Sequence, residues 1–267
     1  MFREKVAVIT GGASGIGLAL ARAFGREGAS LVLADLDEAA LRTAVADLQA
    51  SGVPVLGVPV DVTDRASVAS LAGQTLERFG RVDILCNNAG VATFGPIAMA
   101  TAADWEFTMG VNFWGVVHGV EAFLPILLEQ ASGGHIVNTA SMSGLIGMEN
   151  LAVYCASKFA VVGLSESIAR ELKPAGIGVT VVCPMVVDTR INENSVRMRP
   201  DALRNPDEVV VDPGSLVGSV VGADRVAERI VSAVRNGDLY VLTHPEQRTI
   251  LERRAARLDD AAARIEP

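Results

Sequence analysis

The sequence predicts an α/β fold: a doubly wound parallel sheet of about seven strands with helices on both faces. Three observations predict it. Short runs of Val, Ile and Leu recur along the chain, helix-length segments separate them, and a glycine-rich turn joins the first run to the first helix. Strands covered on both faces read as continuous apolar runs, and regular alternation of strand and helix leads to a parallel sheet.

Taken in order, the predicted strands are residues 6–10, 30–35, 55–60, 83–86, 135–140 and 178–183, with a last one at 238–242. The first helix, 17–28, follows the glycine turn; the second, 38–50, follows Asp37, a fitting cap, and Asp64 would cap the third. Long apolar helices are expected around 111–130 and 152–173. Residues 191–221 carry Pro200, Pro206 and Pro213 and no clear periodicity, so the stretch 185–223 reads as a lid over a site. The Ala, Arg and Leu composition of residues 246–265 predicts a surface helix.

The chain has 267 residues and no linker rich in Pro, Gly or Ser, so residues 1–267 are expected to form one domain. Half of the residues are hydrophobic, yet no uninterrupted apolar run approaches the roughly 18 residues of a bilayer span, and no membrane association is expected. Phe2-Arg3-Glu4-Lys5 leads straight into the first strand, with no room for a signal peptide, which points to the cytoplasm. Cys86, Cys155 and Cys183 sit in core-like places and are read as free thiols. A net charge of −8 without a basic stripe speaks against nucleic acid. His118, His135 and His244 lie far apart without companions at ligand spacing, so no metal is implied. A hydrolase triad is disfavoured because no Gly-x-Ser-x-Gly elbow occurs.

Two motifs carry the chemistry. Thr10-Gly11-Gly12-Ala13-Ser14-Gly15-Ile16-Gly17 lies between strand and helix, where a pyrophosphate can rest on backbone amides at the positive helix end. Gly11 allows a tight turn, while Gly15 and Gly17 remove side chains where pyrophosphate and the neighbouring strand approach. Far downstream, Tyr154-Cys155-Ala156-Ser157-Lys158 places a phenol and an ammonium on one helix face, where Lys158 would lower the proton affinity of Tyr154. Asp35, at the end of the second strand, can accept from adenosine ribose hydroxyls and repel a ribose phosphate. Plainer readings stand beside these: a tight turn for the glycines, chance helical spacing for Tyr154 and Lys158, and a cap for Asp35 or Asp37.

The eight residues from Thr10 to Gly17 fit T-G-x-x-x-G-x-G. With Asn87-Asn88-Ala89-Gly90 and with Ser141 thirteen residues before Tyr154, the chain resembles the compact branch of the short-chain dehydrogenase/reductase family over residues 5–240. The resemblance implies a Rossmann-like fold, a nicotinamide cofactor and hydride transfer. It assigns Tyr154 as base or acid, Lys158 as its partner and holder of the nicotinamide ribose, and Ser141 as the group orienting the substrate oxygen. Asn112 takes the role of a helix-interrupting asparagine that supports a water path to Lys158. Ser143 competes for the Ser141 role at a poorer separation from Tyr154.

Cofactor contacts implied by the same match are Gly11, Ser14, Gly15, Ile16, Gly17, Asp35, Asp61, Val62, Asn88, Gly90, Tyr154, Lys158, Val187 and Thr189. Asp61 and Val62 would meet adenine, while Asn88 and Gly90 would border the adenosine ribose and keep the central sheet packed close to the cofactor. Arg or Lys, common in NADP users of the family, is replaced by Ala13, Ser14, Leu36 and Asp37, which favours NAD over NADP. Met185 stands where the family has glycine after Pro184, and would bend the nicotinamide turn differently or narrow the pocket. Phe94, Ser141, Met142, Leu145, Met148 and Met185 are the expected substrate pocket, and its apolar members predict a hydrophobic secondary alcohol or its ketone. Arg197, Arg199 and Arg204 on the lid open the alternative of an acidic substrate. The resemblance also implies a homodimer or homotetramer, with the long helices between subunits and the C-terminal helix covering a neighbour. A catalytically silent, dinucleotide-sensing regulator of the same fold is the competing reading, opposed by the intact Asn112, Ser141, Tyr154 and Lys158. A sugar-nucleotide epimerase or dehydratase is weaker, because those relatives carry a larger C-terminal domain and a different glycine spacing.

Overall fold

The computed structural model describes residues 2–205 and 218–265. Its strands are β1 (Val6–Thr10), β2 (Ser30–Asp35), β3 (Val55–Pro59), β4 (Ile84–Asn87), β5 (Gly134–Thr139), β6 (Ile177–Cys183), β7 (Val187–Asp188), β8 (Val221–Gly222) and β9 (Tyr240–Leu242). Seven of them form one parallel sheet in the order β3-β2-β1-β4-β5-β6-β9, while β7 and β8 pair separately. The order reverses between β1 and β4, which opens a crevice at their carboxyl ends.

The helices are α1 (Gly15–Arg26), α2 (Glu38–Ala50), α3 (Arg65–Phe79), α4 (Ala102–Met109), α5 (Gly115–Gln130), α6 (Ala152–Leu172), α7 (Ile191–Arg197), α8 (Ala223–Asn236) and α9 (Gln247–Ala262). Alternate residues of each strand point to opposite faces, so each strand feeds two cores. Ala7, Ile9, Leu31 and Leu33 pack with Phe24 of α1 and Ile230 of α8. Val6, Val8, Val32 and Leu85 pack with Leu71 of α3, Phe123 of α5 and Ile168 of α6. Asp37 and Asp64 cap α2 and α3, accepting from the Ala40 and Ala66 amides at 3.0 and 2.9 Å.

Several expectations are corrected. The first helix starts at Gly15, two residues early, because its hydrogen bonding begins inside the turn, where the Leu18 amide donates to the Ser14 carbonyl at 3.1 Å. The helix expected from residue 111 begins at Ala102 and runs through a π-helical turn, Gly110–Trp114, before α5. The absence of a bilayer-length segment holds only for uninterrupted apolar runs: Ala102–Gln130 and Ala152–Ala175 are long and apolar enough to cross a membrane by length and composition alone. Their apolar character is used against the sheet, where Phe123, Leu127, Ile168 and Leu172 are buried. The stretch expected to form a lid is not wholly aperiodic either, since its described part contains α7 and a 3-10 turn, Asp201–Leu203. Pro206 and Pro213 lie outside the described residues. Cys86, Cys155 and Cys183 are buried free thiols.

Candidate active site

A cavity of about 670 Å³ runs along the carboxyl ends of the strands, from Asp35 and Asp61 past the glycine turn to Ser141, Tyr154 and Met185. The turn is built by backbone conformation. Gly11 and Gly15 have φ of +62° and +51°, the left-handed region that glycine enters without penalty. A β-carbon on Gly17 would lie 2.0 Å from the Gly11 carbonyl and 2.7 Å from Asn88 Nδ2. Gly17 is therefore dictated by the turn folding on itself and by the loop after β4, where sequence reasoning expected the neighbouring strand. A β-carbon on Gly15 would meet Thr189 Cγ2 at 3.1 Å, so the turn and the segment after β7 touch across the cavity.

The loop after β4 braces the turn. Thr10 Oγ1 accepts from the Asn88 and Ala89 amides at 3.0 and 3.1 Å, and Asn88 Nδ2 donates to the Thr10 and Gly11 carbonyls at 3.0 and 3.3 Å. Thr139 Oγ1 donates to Asn88 Oδ1 at 3.3 Å. Asn88 borders the cavity, and its side-chain amide braces the glycine turn. Gly90 is explained by crowding: its β-carbon would stand 3.3 Å from Asn112 Oδ1 and 3.4 Å from Lys158 Nζ.

At the adenosine end, Asp35 accepts from the Ala13 amide at 3.0 Å and the Asp37 amide at 3.0 Å. Burial raises its pKa above the usual carboxylate value, against the pull of those amides. Each oxygen keeps a second lone pair for ribose hydroxyls. Asp61 Oδ1 is engaged by the Thr63 amide and hydroxyl at 2.8 and 2.7 Å. Val62 is held from behind by His118, whose Nδ1 donates to the Val62 carbonyl at 2.9 Å. Sequence reasoning gave that histidine no role. Ser14 and Ile16 line the cavity between these ends.

Opposite lies the group of Asn112, Ser141, Tyr154 and Lys158. Asn112 sits in the π turn; its Oδ1 accepts from the Val91 amide at 2.8 Å, and its Nδ2 donates to the Val91 carbonyl and to Ser157 Oγ at 3.0 and 3.1 Å. Ser141 follows β5, accepting from the Ser143 amide at 3.2 Å and donating to the Pro184 carbonyl at 3.4 Å. Its competitor Ser143 donates to Met148 Sδ at 3.1 Å. Tyr154 and Lys158 occupy successive turns of α6, with Nζ 5.7 Å from the phenol ring centre and donating to the Thr139 carbonyl at 3.0 Å.

Burial governs both titrations in the protein by itself. It pushes the Tyr154 phenol up to about 12, with the Ser141 hydroxyl pulling the other way. It also brings the Lys158 ammonium down to about 8, against a smaller upward pull from Cys183. In the protein by itself it is loss of hydration, and not Lys158, that sets the direction for Tyr154.

Phe94, Met142, Met148 and Met185 line the substrate end as expected. Leu145 does not: beyond the 3-10 turn Met142–Gly144 it packs against the buried cluster that includes Ala140, Val161, Val162 and Val181. The lid arginines are committed to carboxylates of the chain. Arg197 reaches Asp37 at 2.6 Å, Arg199 reaches Asp104 at 2.6 Å in the interior, and Arg204 reaches Asp201 at 2.9 Å. None of the three lines the cavity. The first of these pairs also brings a cation to Asp37 that no local sequence signal announces. The glycine cradle, the free lone pairs of Asp35 and the elongated cavity fit a dinucleotide.

Comparison with known proteins agrees with this geometry. The family profile described as short chain dehydrogenase matches residues 5–200. The crystal structure of a short chain dehydrogenase/reductase from Burkholderia phymatum in complex with NAD superposes with a TM-score of 0.92 at 40% identity, covering 100% of this chain and 98% of that one. The C alpha-dehydrogenase of Sphingobium sp. is 35% identical, over 99% of this chain and 88% of its own length. The 1-deoxy-11-beta-hydroxypentalenate dehydrogenase of Streptomyces exfoliatus is 38% identical, over 84% of this chain and 82% of its own.

Proposed function

The chain belongs to the short-chain dehydrogenase/reductase family of oxidoreductases, and from that premise we propose that it moves a hydride between NAD and a hydrophobic secondary alcohol or its ketone. The observation that carries this reading is the placement of Ser141, Tyr154 and Lys158 on one cavity with the glycine turn and Asp35. Bound NAD supplies the hydride acceptor in the oxidising direction. Tyr154 takes the proton of the substrate hydroxyl in oxidation and returns it in reduction. Ser141 holds the substrate oxygen, and Lys158 holds the nicotinamide ribose and favours the phenolate. Bringing a phenol from about 12 to near neutrality takes about 7 kcal/mol of differential stabilisation, so a positive charge close by is needed. Asn112, near Lys158, supports the route by which the proton reaches solvent.

Asp35 favours NAD over NADP, because an anion there accepts from ribose hydroxyls and repels a phosphate. Phe94, Met142, Met148 and Met185 favour an apolar substrate. The reading includes a homodimer or homotetramer in the cytoplasm and no role for nucleic acid. The test is NADH absorbance with the purified protein, NAD or NADP, and a panel of aliphatic, aryl and steroid secondary alcohols at mildly alkaline pH. NAD-dependent turnover that disappears in Tyr154→Phe supports the proposal. Cofactor binding without turnover across the panel would favour the regulator.

A further inference from the structure

Behind the loop that follows β6 lies a set of buried polar side chains that the mechanism above does not use. The Val186 carbonyl accepts twice, from the Val221 amide of β8 at 3.1 Å and from His244 Nε2 at 3.0 Å. A carbonyl only accepts, so Nε2 carries the imidazole proton; Nδ1 is left as an acceptor and takes the Thr243 hydroxyl at 2.6 Å. His244 and Thr243 are 3% and 1% exposed. Gln247, fully enclosed at the start of α9, holds them from beneath: its Oε1 accepts from the Thr243 and His244 amides at 2.7 and 2.9 Å. Its Nε2 donates to the Cys183 carbonyl at 2.6 Å and to Met142 Sδ at 3.4 Å. Between these anchors, the Pro184 carbonyl accepts from the Met142 amide at 2.8 Å and from Ser141 Oγ.

The consequence concerns one peptide unit. In a trans peptide the carbonyl and the following N–H point to opposite sides. Two donors fix the Val186 carbonyl on the side of His244 and β8, so the Val187 N–H must face the other way, and Val187 lines the cavity. We propose that His244 is a positioning residue that sets the Val186–Val187 peptide so that the Val187 amide is presented to the nicotinamide end of the cofactor. The proposal rests on the dinucleotide reading above. It gives the C-terminal segment a task beyond covering the surface, in a loop where Met185 replaces the more pliant glycine.

The test compares dissociation constants for NAD and for ADP-ribose, which lacks only the nicotinamide ring, by titration calorimetry on the wild type, His244→Phe and His244→Gln. Loss of the Nε2 donor in His244→Phe should weaken NAD about tenfold and leave ADP-ribose within about twofold. His244→Gln, whose amide can reach the same carbonyl, should restore NAD to within about threefold of wild type. Equal weakening of both ligands, or no weakening of NAD, overturns the proposal. Should His244→Phe fail to fold, Thr243→Val, which frees the imidazole tautomer, must show the same split between ligands or the proposal fails. A wild type that binds neither ligand overturns the dinucleotide reading itself, and the inference with it.

Discussion

Lys158 carries a cost that its proposed role explains. It is 2% exposed, and its ammonium donates to the Thr139 carbonyl at 3.0 Å. Burial lowers its pKa from 10.5 to about 8. Below about pH 8 both folded and unfolded states are protonated and the full penalty applies. Between about 8 and 10.5 the unfolded chain binds more protons, so stability from this site rises with pH. Lys158→Met should therefore stabilise the cofactor-free protein at pH 7 by on the order of 1–3 kcal/mol while abolishing turnover. Thermal unfolding of both proteins across this pH range checks the sign: the gap should shrink above pH 8, and a constant gap would place the gain elsewhere. Tyr154→Phe should lower kcat by about 10²–10⁴ and leave NAD binding within about twofold. At the other end, Asp35→Ser should raise the NADP to NAD ratio of kcat/KM by about tenfold or more, since it removes the charge opposing a ribose phosphate.

Two elements act as mounts for the site. The π turn Gly110–Trp114 places Asn112 where its amide meets both backbone groups of Val91 and the Ser157 hydroxyl. Asn112→Ala leaves these buried partners unmet and should cost about 2–4 kcal/mol, measurable by urea unfolding. The segment 191–205 is pinned at two places of unequal strength. Arg197–Asp37 is half exposed, a class of pair worth about 0–1 kcal/mol, whereas Arg199–Asp104 is interior, where loss of one partner costs about 3–5 kcal/mol. Asp104 also completes the capping box of α4 with Thr101. Asp104→Ala should thus raise the substrate KM more than it lowers kcat and speed proteolysis within residues 191–205; Asp37→Ala should change proteolysis little. Equal cleavage rates in the two variants would remove the buried anchor from the account.

For the molecule as a whole, the sheet concentrates the chemistry at one edge. Motifs separated by more than a hundred residues meet because parallel strands deliver every carboxyl end to the same side. The two long helices keep Leu128 and Phe159 exposed at 46% and 36%. Faces of this kind are suited to burial between copies of the chain. Light scattering behind size exclusion should report a dimer or tetramer; a monomer at micromolar concentration would remove the proposed assembly.

The sequence by itself determined the elements whose cause is local. Strands β1 and β2 and helix α2 were legible to the residue, because buried strands are unbroken apolar runs and Asp37 is a cap. The glycine turn was legible because only glycine tolerates its backbone angles, and Tyr154 with Lys158 because helical spacing alone puts them on one side. Tertiary structure decided what polar groups meet. Arg197 finds Asp37 across 160 residues, Asn88 turns to Thr10 and Gly11, and Leu145 packs against a buried cluster. His244 and Gln247 hold a loop about sixty positions earlier in the chain. Burial, a property of the packed molecule, set the titration of Tyr154 against the direction its neighbour implied. Backbone sterics and apolar periodicity are written residue by residue, whereas a hydrogen-bond partner or a desolvation penalty exists only once distant segments have been brought together.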